Sequence, residues 1–389
     1  MTERPGTSTT LARWPALREL AWLFGKLGLT AFGGPAAHIA MMEDEVVRRR
    51  QWMSRERFLD LLGATNLIPG PNSTELAIHI GHDQAGWPGL LVAGVCFILP
   101  AVVIVSAIAW AYVRYGTVPE IACVMYGIKP VIIAVVIQGL WALGKTAVKT
   151  PFLAAVGAMA IAACLCGVNE LIVLAGAGAV VAMGRRARPR AAMCWMPWPV
   201  LGAGATGATG AAASFGLWPL FLLFVKVGSV LFGSGYVLLA FLRSDLVERL
   251  HWLTESQLLD AVAVGQVSPG PVFTTATFIG YLLGGAPGAA VSTIGIFLPA
   301  FVFVALSGPL LPRLRRSSTA SAVLDGVNVA SLALMTVVTL QLGRAAIVDV
   351  TTALLAAAGA VVLIRFRPNS AWLVLAGGVV GVALSFASR

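Results

Sequence analysis

The tripeptide Pro69-Gly70-Pro71 interrupts an apolar segment of this chain, and it returns as Pro269-Gly270-Pro271 in a second apolar segment. Before the tripeptide the chain repeats at a spacing of 200 residues, with identical counterparts for Leu23-Phe24, Lys26, Gly28, Phe32-Gly33, Trp52 and Leu59-Asp60. After it the spacing becomes 199, with counterparts for Gly81, Pro88-Gly89 and Leu99-Pro100-Ala101. Two related halves with a helix broken at the same place indicate a transporter, whose site lies where the breaks meet.

Composition places the chain in the membrane. Of its 389 residues 58% are hydrophobic and 11% are charged, whereas about a quarter are charged in a soluble protein. Apolar stretches of the roughly 20 residues that span a bilayer recur along most of the length. The sequence therefore predicts an all-α polytopic membrane protein. The net charge of +10 comes from arginines between apolar segments, which are first of all topology signals.

The apolar pattern divides the chain into five parts. We predict a disordered tail at 1–14, a first repeat at 15–184, a basic cytoplasmic linker at 185–198, a connecting transmembrane helix at 199–216 and a second repeat at 217–389. The first repeat has apolar segments at roughly 18–42, 57–84, 86–112, 119–144, 151–167 and 169–184. The second has them at roughly 217–242, 257–284, 286–308, 318–342, 346–364 and 370–387.

The arginines favour an inverted repeat. All basic clusters can be cytoplasmic if segments 18–42 and 57–84 each enter the membrane and return to the same face. The single segment 199–216 then crosses, so that the second half starts from the opposite face. The loop 243–251 carries fewer basic residues than 48–57, as an outside loop should.

The two breaks offer an anion site. Two prolines and a glycine stop a helix, and Pro71 suits the first turn of a new one, which Asn72, Ser73 and Thr74 can cap. A helix N-terminus inside the membrane carries partial positive charge and free N–H groups, so it favours an anion. Gly70 belongs to this site, and the second half adds Gly270, Thr274 and Thr275. Broken backbone in a membrane must be buried in protein or face a water-filled cavity.

Further polar or glycine residues lie at matched positions. Lys26 and Lys226 stand in apolar sequence, where they either compensate a dianion or serve structure, by reaching the interface or by pairing with Asp60 or Asp260. Gly33 and Gly233 permit close approach of substrate or of a neighbouring helix. Asn66 and Gln266 precede each tripeptide by three residues and can donate to an oxyanion or to freed backbone groups.

Glu75 and His79 have no ionisable counterparts in the second half. Because they are four residues apart, they share one helical face, which suits a proton relay that couples transport to a gradient. The alternative is that His82-Asp83 marks the interfacial end of the helix and only Glu75 is buried. The chain contains no nucleotide-binding loop, no nucleophile with its base and no convincing metal site, so we predict neither an enzyme nor a cofactor.

The chain resembles the chromate ion transporter (CHR) family in its long, two-domain form. The resemblance rests on residues 32–38, 66–75 and 86–89 of the first half and on 232–235 and 265–271 of the second. It differs from the family's pattern at Asn66, where glutamine is more usual, and at Gly233-Ser234-Gly235, which replaces Gly-Gly-Pro. This asymmetry is compatible with one half binding and the other gating, and the sequence does not say which.

The resemblance implies export of chromate from the bacterial cytoplasm across the inner membrane, which confers chromate resistance. Sulfate is the expected competitor or counter-substrate, and a homodimer is an open alternative to a monomer. We expect a secondary transporter that rocks one half against the other around the paired breaks. The alternatives are a carrier of sulfate or another oxyanion and, less favoured, a membrane sensor or enzyme that binds an anion without moving it.

Overall fold

A computed structural model describes residues 13–32, 34–115, 119–186, 215–231, 237–366 and 369–387. Helices make up the fold of these residues, and no strand occurs among them. The predictions of an all-α membrane protein with two related halves are confirmed. Of the predicted tail, linker and connecting helix, residues 1–12, 187–198 and 199–214 lie outside the described residues.

The described residues of the first half form seven α-helices and one π-helix. They are α1 (Arg13–Thr30), α2 (Gly34–Glu43), the π-helix Asp44–Arg49, α3 (Arg55–Thr65), α4 (Asn72–Tyr115), α5 (Pro119–Ala147), α6 (Pro151–Leu165) and α7 (Glu170–Arg186). Side chains next to the N-termini of α3 and α6 explain why these two helices begin where they do. The Ser54 side chain accepts from the Arg57 N–H and caps α3, and Thr150 with Pro151 opens α6 in the same way.

The second half repeats this order. Its elements are α8 (Leu217–Val230), α9 (Leu238–Leu242), the π-helix Arg243–Arg249, α10 (Glu255–Val267), the 3₁₀ turn Val272–Thr274, α11 (Thr275–Arg316), α12 (Ser318–Ala346), α13 (Val350–Phe366) and α14 (Ser370–Ala387). The turns after the two π-helices also correspond, because Gln51 and His251 both have a positive φ, of 52° and 51°.

The first two apolar segments of half one return to the end at which they start. Arg50, beyond α2, pairs with Glu19 near the start of α1 at 2.5 Å. Arg57 at the start of α3 pairs with Asp83 in α4 at 2.6 Å. Helices α1 and α2 therefore run in opposite directions, and so do α3 and the first part of α4.

A sharp bend divides α4 into two parts. Ala85 and Gly86 depart from helical dihedrals, and Gly81 lies against Gly89, although residues eight apart in a straight helix are about 12 Å apart. Helix α11 bends in the same way at Gly284 and Gly285. After each bend an apolar helix runs on for about 30 residues, which is enough to cross a bilayer.

The halves interlock through their last three helices. Helices α6 and α7 of half one pack on α12, while α13 and α14 of half two pack on α5. The two bent helices α4 and α11 also pack on each other. By length and composition, four apolar segments of the described chain can span a membrane: Asn72–Tyr115, Cys123–Ala147, Val272–Ser307 and Ser318–Ala346.

Candidate functional site

Each Pro-Gly-Pro break is hydrogen-bonded to the opposite half of the molecule, and we call this pair of contacts the clasp. The Gly70 N–H donates to the Leu231 carbonyl at 2.8 Å, and the Gly270 N–H donates to the Ala31 carbonyl at 3.0 Å. Ala31 and Leu231 are themselves matched at the spacing of 200. The breaks therefore exchange equivalent hydrogen bonds, as a two-fold relation between the halves requires.

Both glycines of this clasp hold a conformation that disfavours any side chain. The φ of Gly70 is +142° and that of Gly270 is +84°. A Cβ on Gly70 would overlap with the Glu75 carboxyl, and one on Gly270 would stand 2.9 Å from the Cβ of Ala101. Glycine at these two positions is thus required by both backbone and packing.

A cavity lies where the breaks meet. Its closed part has room for about one water molecule, and the space that opens to solvent brings the total to about 300 Å³. Its walls are Pro35, His38, Pro71, Asn72, Ser73, Pro271, Val272 and Phe273. Its polar side chains all come from half one, and half two supplies apolar wall. Helix α4 begins at Asn72, and the N–H groups of Thr74 and Glu75 already donate to the Pro71 carbonyl. The N–H groups of Asn72 and Ser73, which have no acceptor inside the helix, therefore lie at this wall.

Polar side chains of half one continue from the cavity. The Asn72 amide donates to the side-chain oxygen of Asn66 at 2.9 Å, and Asn66 donates to the Leu62 carbonyl at 3.2 Å. Asn66 therefore positions Asn72 and closes the end of α3. Thr74 is fully buried, and its hydroxyl has no hydrogen-bond partner within the described chain.

The hydroxyls of half two are used by their own turn. Thr274 donates to the Pro271 carbonyl at 2.9 Å, and Thr275 donates to the Val272 carbonyl at 2.8 Å. Gln266 is buried and lines a second, smaller opening of about 210 Å³ together with Thr275 and apolar side chains of α9. The predicted residues Gly33 and Gly233 lie outside the described residues.

Glu75 is fully buried one turn into α4, with its carboxyl against Gly70. Neither carboxyl oxygen has a hydrogen-bond partner among the described residues, and the same holds for Nε2 of the buried His79. His79 lies within electrostatic reach of Arg57, His82 and Asp83. Ionisable groups thus continue from the break towards the end of half one that Arg57 and Asp83 mark.

The two matched lysines form ion pairs with carboxylates of the π-helices. The Lys26 ammonium is 3.1 Å from Glu45, and the Lys226 ammonium is 2.8 Å from Asp245. Burial opposes ionisation of Glu45, but hydrogen bonds from Lys26 and Arg50 outweigh it and hold the pKa of Glu45 below its ordinary value. The sequence suggests Asp60 or Asp260 as structural partners of the lysines, whereas the structure pairs them with Glu45 and Asp245. Neither lysine lies in the walls of the cavity.

The family model described as "Chromate transporter" matches the chain twice, over residues 18–183 and 218–382. The chain belongs to the chromate transporter family. The family consists of transport proteins, which confirms the expectation that this transporter is not an enzyme, and its apolar helices make it a multi-pass membrane protein.

Three relatives are similar to this transporter over most of their length. The chromate transport protein of Cupriavidus metallidurans is 33% identical over 371 residues, which cover 93% of this chain and 91% of the relative. The probable chromate transport protein of Synechococcus elongatus is 30% identical, with 87% and 88% covered, and the chromate transport protein of Pseudomonas aeruginosa is 31% identical, with 82% and 80% covered. No solved structure matches the chain.

Two polar residues of the transporter, the buried His38 and the partly buried Lys129, escaped the sequence reasoning. His38 lies in a stretch quoted for the resemblance, but only the fold shows it on the cavity wall. Lys129 of α5 pairs with Asp260 of α10 at 3.1 Å, and Tyr112 donates to the same carboxylate at 2.8 Å. Each is a polar residue in an apolar segment, a signal that marks it as a candidate but does not say where it lies in the fold.

Proposed function

We propose that this protein is a secondary transporter that carries chromate out of the cytoplasm across the inner membrane and so confers chromate resistance. Family membership and the names of three relatives support chromate as the cargo. The direction is supported by the physics of a dianion, because a membrane potential that is negative inside drives it outward. Sulfate, a similar tetrahedral dianion, is the expected competitor.

The proposed mechanism is alternating access by two inverted repeats. Arg57 and Asp83 lie at the end where the re-entrant helices of half one open. The second part of α4 runs away from that end, and Tyr112 near its far terminus contacts Asp260 in the first half of α10. The two contacts support re-entrant pairs that open towards opposite faces, so that rocking of one half against the other exposes the cavity to each face in turn.

The cavity between the two breaks offers the N-terminus of α4 and the second N–H of the Asn72 amide, and the Ser73 hydroxyl joins them once it turns away from His38; such donors suit an oxyanion. The buried Thr74 hydroxyl is a further donor at this turn. Thr274, Thr275 and Gln266 would join them only after their side chains turn, since the two threonines now donate to their own backbone.

We propose proton coupling through Glu75 and His79. An ionised carboxylate beside the break would repel a dianion, so the anion is expected to bind when Glu75 carries a proton. His79 and then the Arg57–Asp83 pair lead from Glu75 to one end of the molecule. This provides a route by which the proton reaches Glu75 from that end.

The test is uptake of radiolabelled chromate into inside-out membrane vesicles, with and without a proton gradient and with excess sulfate. We expect uptake that the inside-positive membrane potential of these vesicles drives, that falls to the level of vesicles without the protein when this potential is dissipated, and that sulfate inhibits. An acidic vesicle interior alone should oppose uptake, because proton and anion are proposed to move together. The Glu75→Gln variant should retain residual uptake that no longer responds to the pH gradient.

Purified protein in liposomes separates transport from binding. Uptake no greater than in protein-free liposomes, from protein that is folded and binds chromate, would favour a sensor. Chromate uptake that excess sulfate abolishes, together with faster sulfate flux, would make the protein a sulfate carrier that moves chromate incidentally. Normal pH-gradient dependence in Glu75→Gln would remove Glu75 from the coupling mechanism.

A further inference from the structure

His38 connects the cavity to the clasp between the halves. It is buried on α2 and lines the cavity. Its Nδ1 lies 3.3 Å from the Ser73 hydroxyl, and its Nε2 lies 3.0 Å from the Ala31 carbonyl. The same carbonyl accepts the N–H of Gly270 from the opposite half. The imidazole therefore touches both a donor of the proposed anion site and the point where the halves join.

The hydrogen bonds of His38 fix the direction of the Ser73 hydroxyl. A carbonyl oxygen can only accept, so Nε2 of His38 must carry a hydrogen. In the neutral imidazole Nδ1 then has a lone pair, and the Ser73 hydroxyl donates to it. The hydroxyl hydrogen of Ser73 consequently points at His38 and is unavailable to an anion in the cavity.

Protonation of His38 reverses this bond. Both ring nitrogens of an imidazolium are donors, so Nδ1–H donates to the Ser73 oxygen and the hydroxyl hydrogen becomes free to turn into the cavity. The imidazolium also places a positive charge on the cavity wall. We propose that His38 is a proton-dependent positioning residue of the anion site, which presents the Ser73 hydroxyl to the oxyanion and takes up one proton as the anion binds.

This inference rests on the proposed function, because it takes the cavity as the anion site. The described elements around His38 carry few ionisable groups that could produce the same effect. On α1, Lys26 is bound to Glu45, and α2 ends in Glu43, which pairs with Arg55. The break of half two contributes Val272 and Phe273, which cannot titrate. Phe97, from the second part of α4, packs against the imidazole edge to face at 5.6 Å.

Among the described residues near the cavity, helix α4 carries the ionisable groups that could also make anion binding depend on pH. Glu75 follows Ser73 by two residues, and its carboxyl lies against Gly70, with His79 a turn further on. Either group could give anion binding a pH dependence of its own. The experiment therefore measures His38 variants both in the wild-type background and in Glu75→Gln.

The experiment is equilibrium binding of radiolabelled chromate to purified protein between roughly pH 4 and 8.5, a range that extends below the ordinary titration of histidine because burial of His38 disfavours its charged form. Chromate itself takes up a proton in this range, so the quantity compared is the affinity ratio of wild type to variant at each pH. His38→Gln is the informative variant, because its amide can still donate to Ala31 and accept from Ser73 but cannot become charged. His251→Gln is the matched control, since position 51 of half one already carries glutamine in the same turn.

We expect wild type to exceed His38→Gln by about 10-fold or more at the acidic end and to approach it at the alkaline end. His251→Gln should follow wild type at every pH. The pH dependence of the ratio should persist in the Glu75→Gln background, and Ser73→Ala should reduce it. Thermal unfolding of His38→Gln serves to confirm that this variant is folded.

A ratio that does not change with pH, in either background, would overturn the role of His38. If the wild-type protein transports chromate in vesicles but its affinity relative to His38→Gln does not change with pH, the proposed function stands and this inference is wrong. A wild type that neither binds nor transports chromate at any pH would instead contradict the proposed function.

Discussion

The break of half one and the break of half two share their backbone but not their chemistry. Both carry Pro-Gly-Pro, and both donate a glycine N–H to the opposite half. Immediately afterwards half one has Asn72 and Ser73, whereas half two has Val272 and Phe273. The comparison teaches that the duplicated geometry closes the halves on each other, while the groups able to recognise an anion belong to one half.

A 3₁₀ turn accounts for the change in repeat spacing between the two breaks. Half two has the 3₁₀ turn Val272–Thr274 where α4 of half one is already α-helical. Three residues of 3₁₀ helix rise about 6 Å, as do four residues of α-helix. One residue fewer therefore spans the same length, and the spacing falls from 200 to 199 without moving the helix that follows.

The largest effect is expected at the clasp, from Gly270→Ala compared with Gly70→Ala. Both add a Cβ at a positive φ, but on Gly270 it meets the Cβ of Ala101, whereas on Gly70 it meets the mobile end of the Glu75 side chain. Strain and overlap together should cost Gly270→Ala about 2–5 kcal/mol, and Gly70→Ala less. Thermal unfolding of protein purified in detergent measures both.

Shortening the obstructing side chain provides the control for this comparison. Glu75→Ala should restore part of the stability lost in Gly70→Ala and none of that lost in Gly270→Ala. Equal losses at the two glycines, unaffected by Glu75→Ala, would mean that backbone strain alone decides and that the packing difference is without consequence.

An intermediate effect is expected from removing the polar groups of half one. The double variant Asn72→Val with Ser73→Ala gives half one the apolar character of half two at the cavity wall. Loss of hydrogen bonds to a charged ligand should lower chromate affinity about 10- to 100-fold, measured by equilibrium binding at one fixed pH.

Val272→Thr is the matched change in half two, nearly equal in shape to valine but polar. It should alter chromate affinity by less than about 2-fold, because the wall of half two is not expected to contact the anion through hydrogen bonds. A gain in affinity from this variant, or no loss from the double variant of half one, would contradict the division of roles between the two breaks.

The sequence predicted the parts of this fold that depend on local chemistry. Two prolines around a glycine must stop a helix, and arginines beside apolar segments indicate which segments return to the same side; the ion pair of Arg57 with Asp83 now joins the two ends of segment 57–84. The partners of the lysines were beyond such reasoning. Glu45 and Asp245 lie in π-helices, where the usual 3.6-residue spacing does not apply.

His38 marks the other limit of sequence reasoning. Nothing within α2 distinguishes a histidine on a cavity wall from one that faces lipid headgroups or a neighbouring helix. Its partner Ala31 lies just before α2, but its partner Ser73 begins α4, which approaches α2 only through the fold of the chain. Tertiary contacts between re-entrant segments therefore decide its role, and local periodicity carries no information about them.

The smallest effect is expected at the matched lysines, Lys26 and Lys226, which extend the comparison of the two halves to residues outside the cavity wall. Lys26→Ala leaves Glu45 with Arg49 and Arg50, whereas Lys226→Ala leaves Asp245, which is more deeply buried, with Arg249. Lys226→Ala should therefore be the less stable variant, by about 1 kcal/mol, in thermal unfolding. Chromate affinity decides whether the lysines also serve the site: if they compensate the dianion, both variants should bind more weakly, and unchanged affinity in both would leave them as supports of the two π-helices.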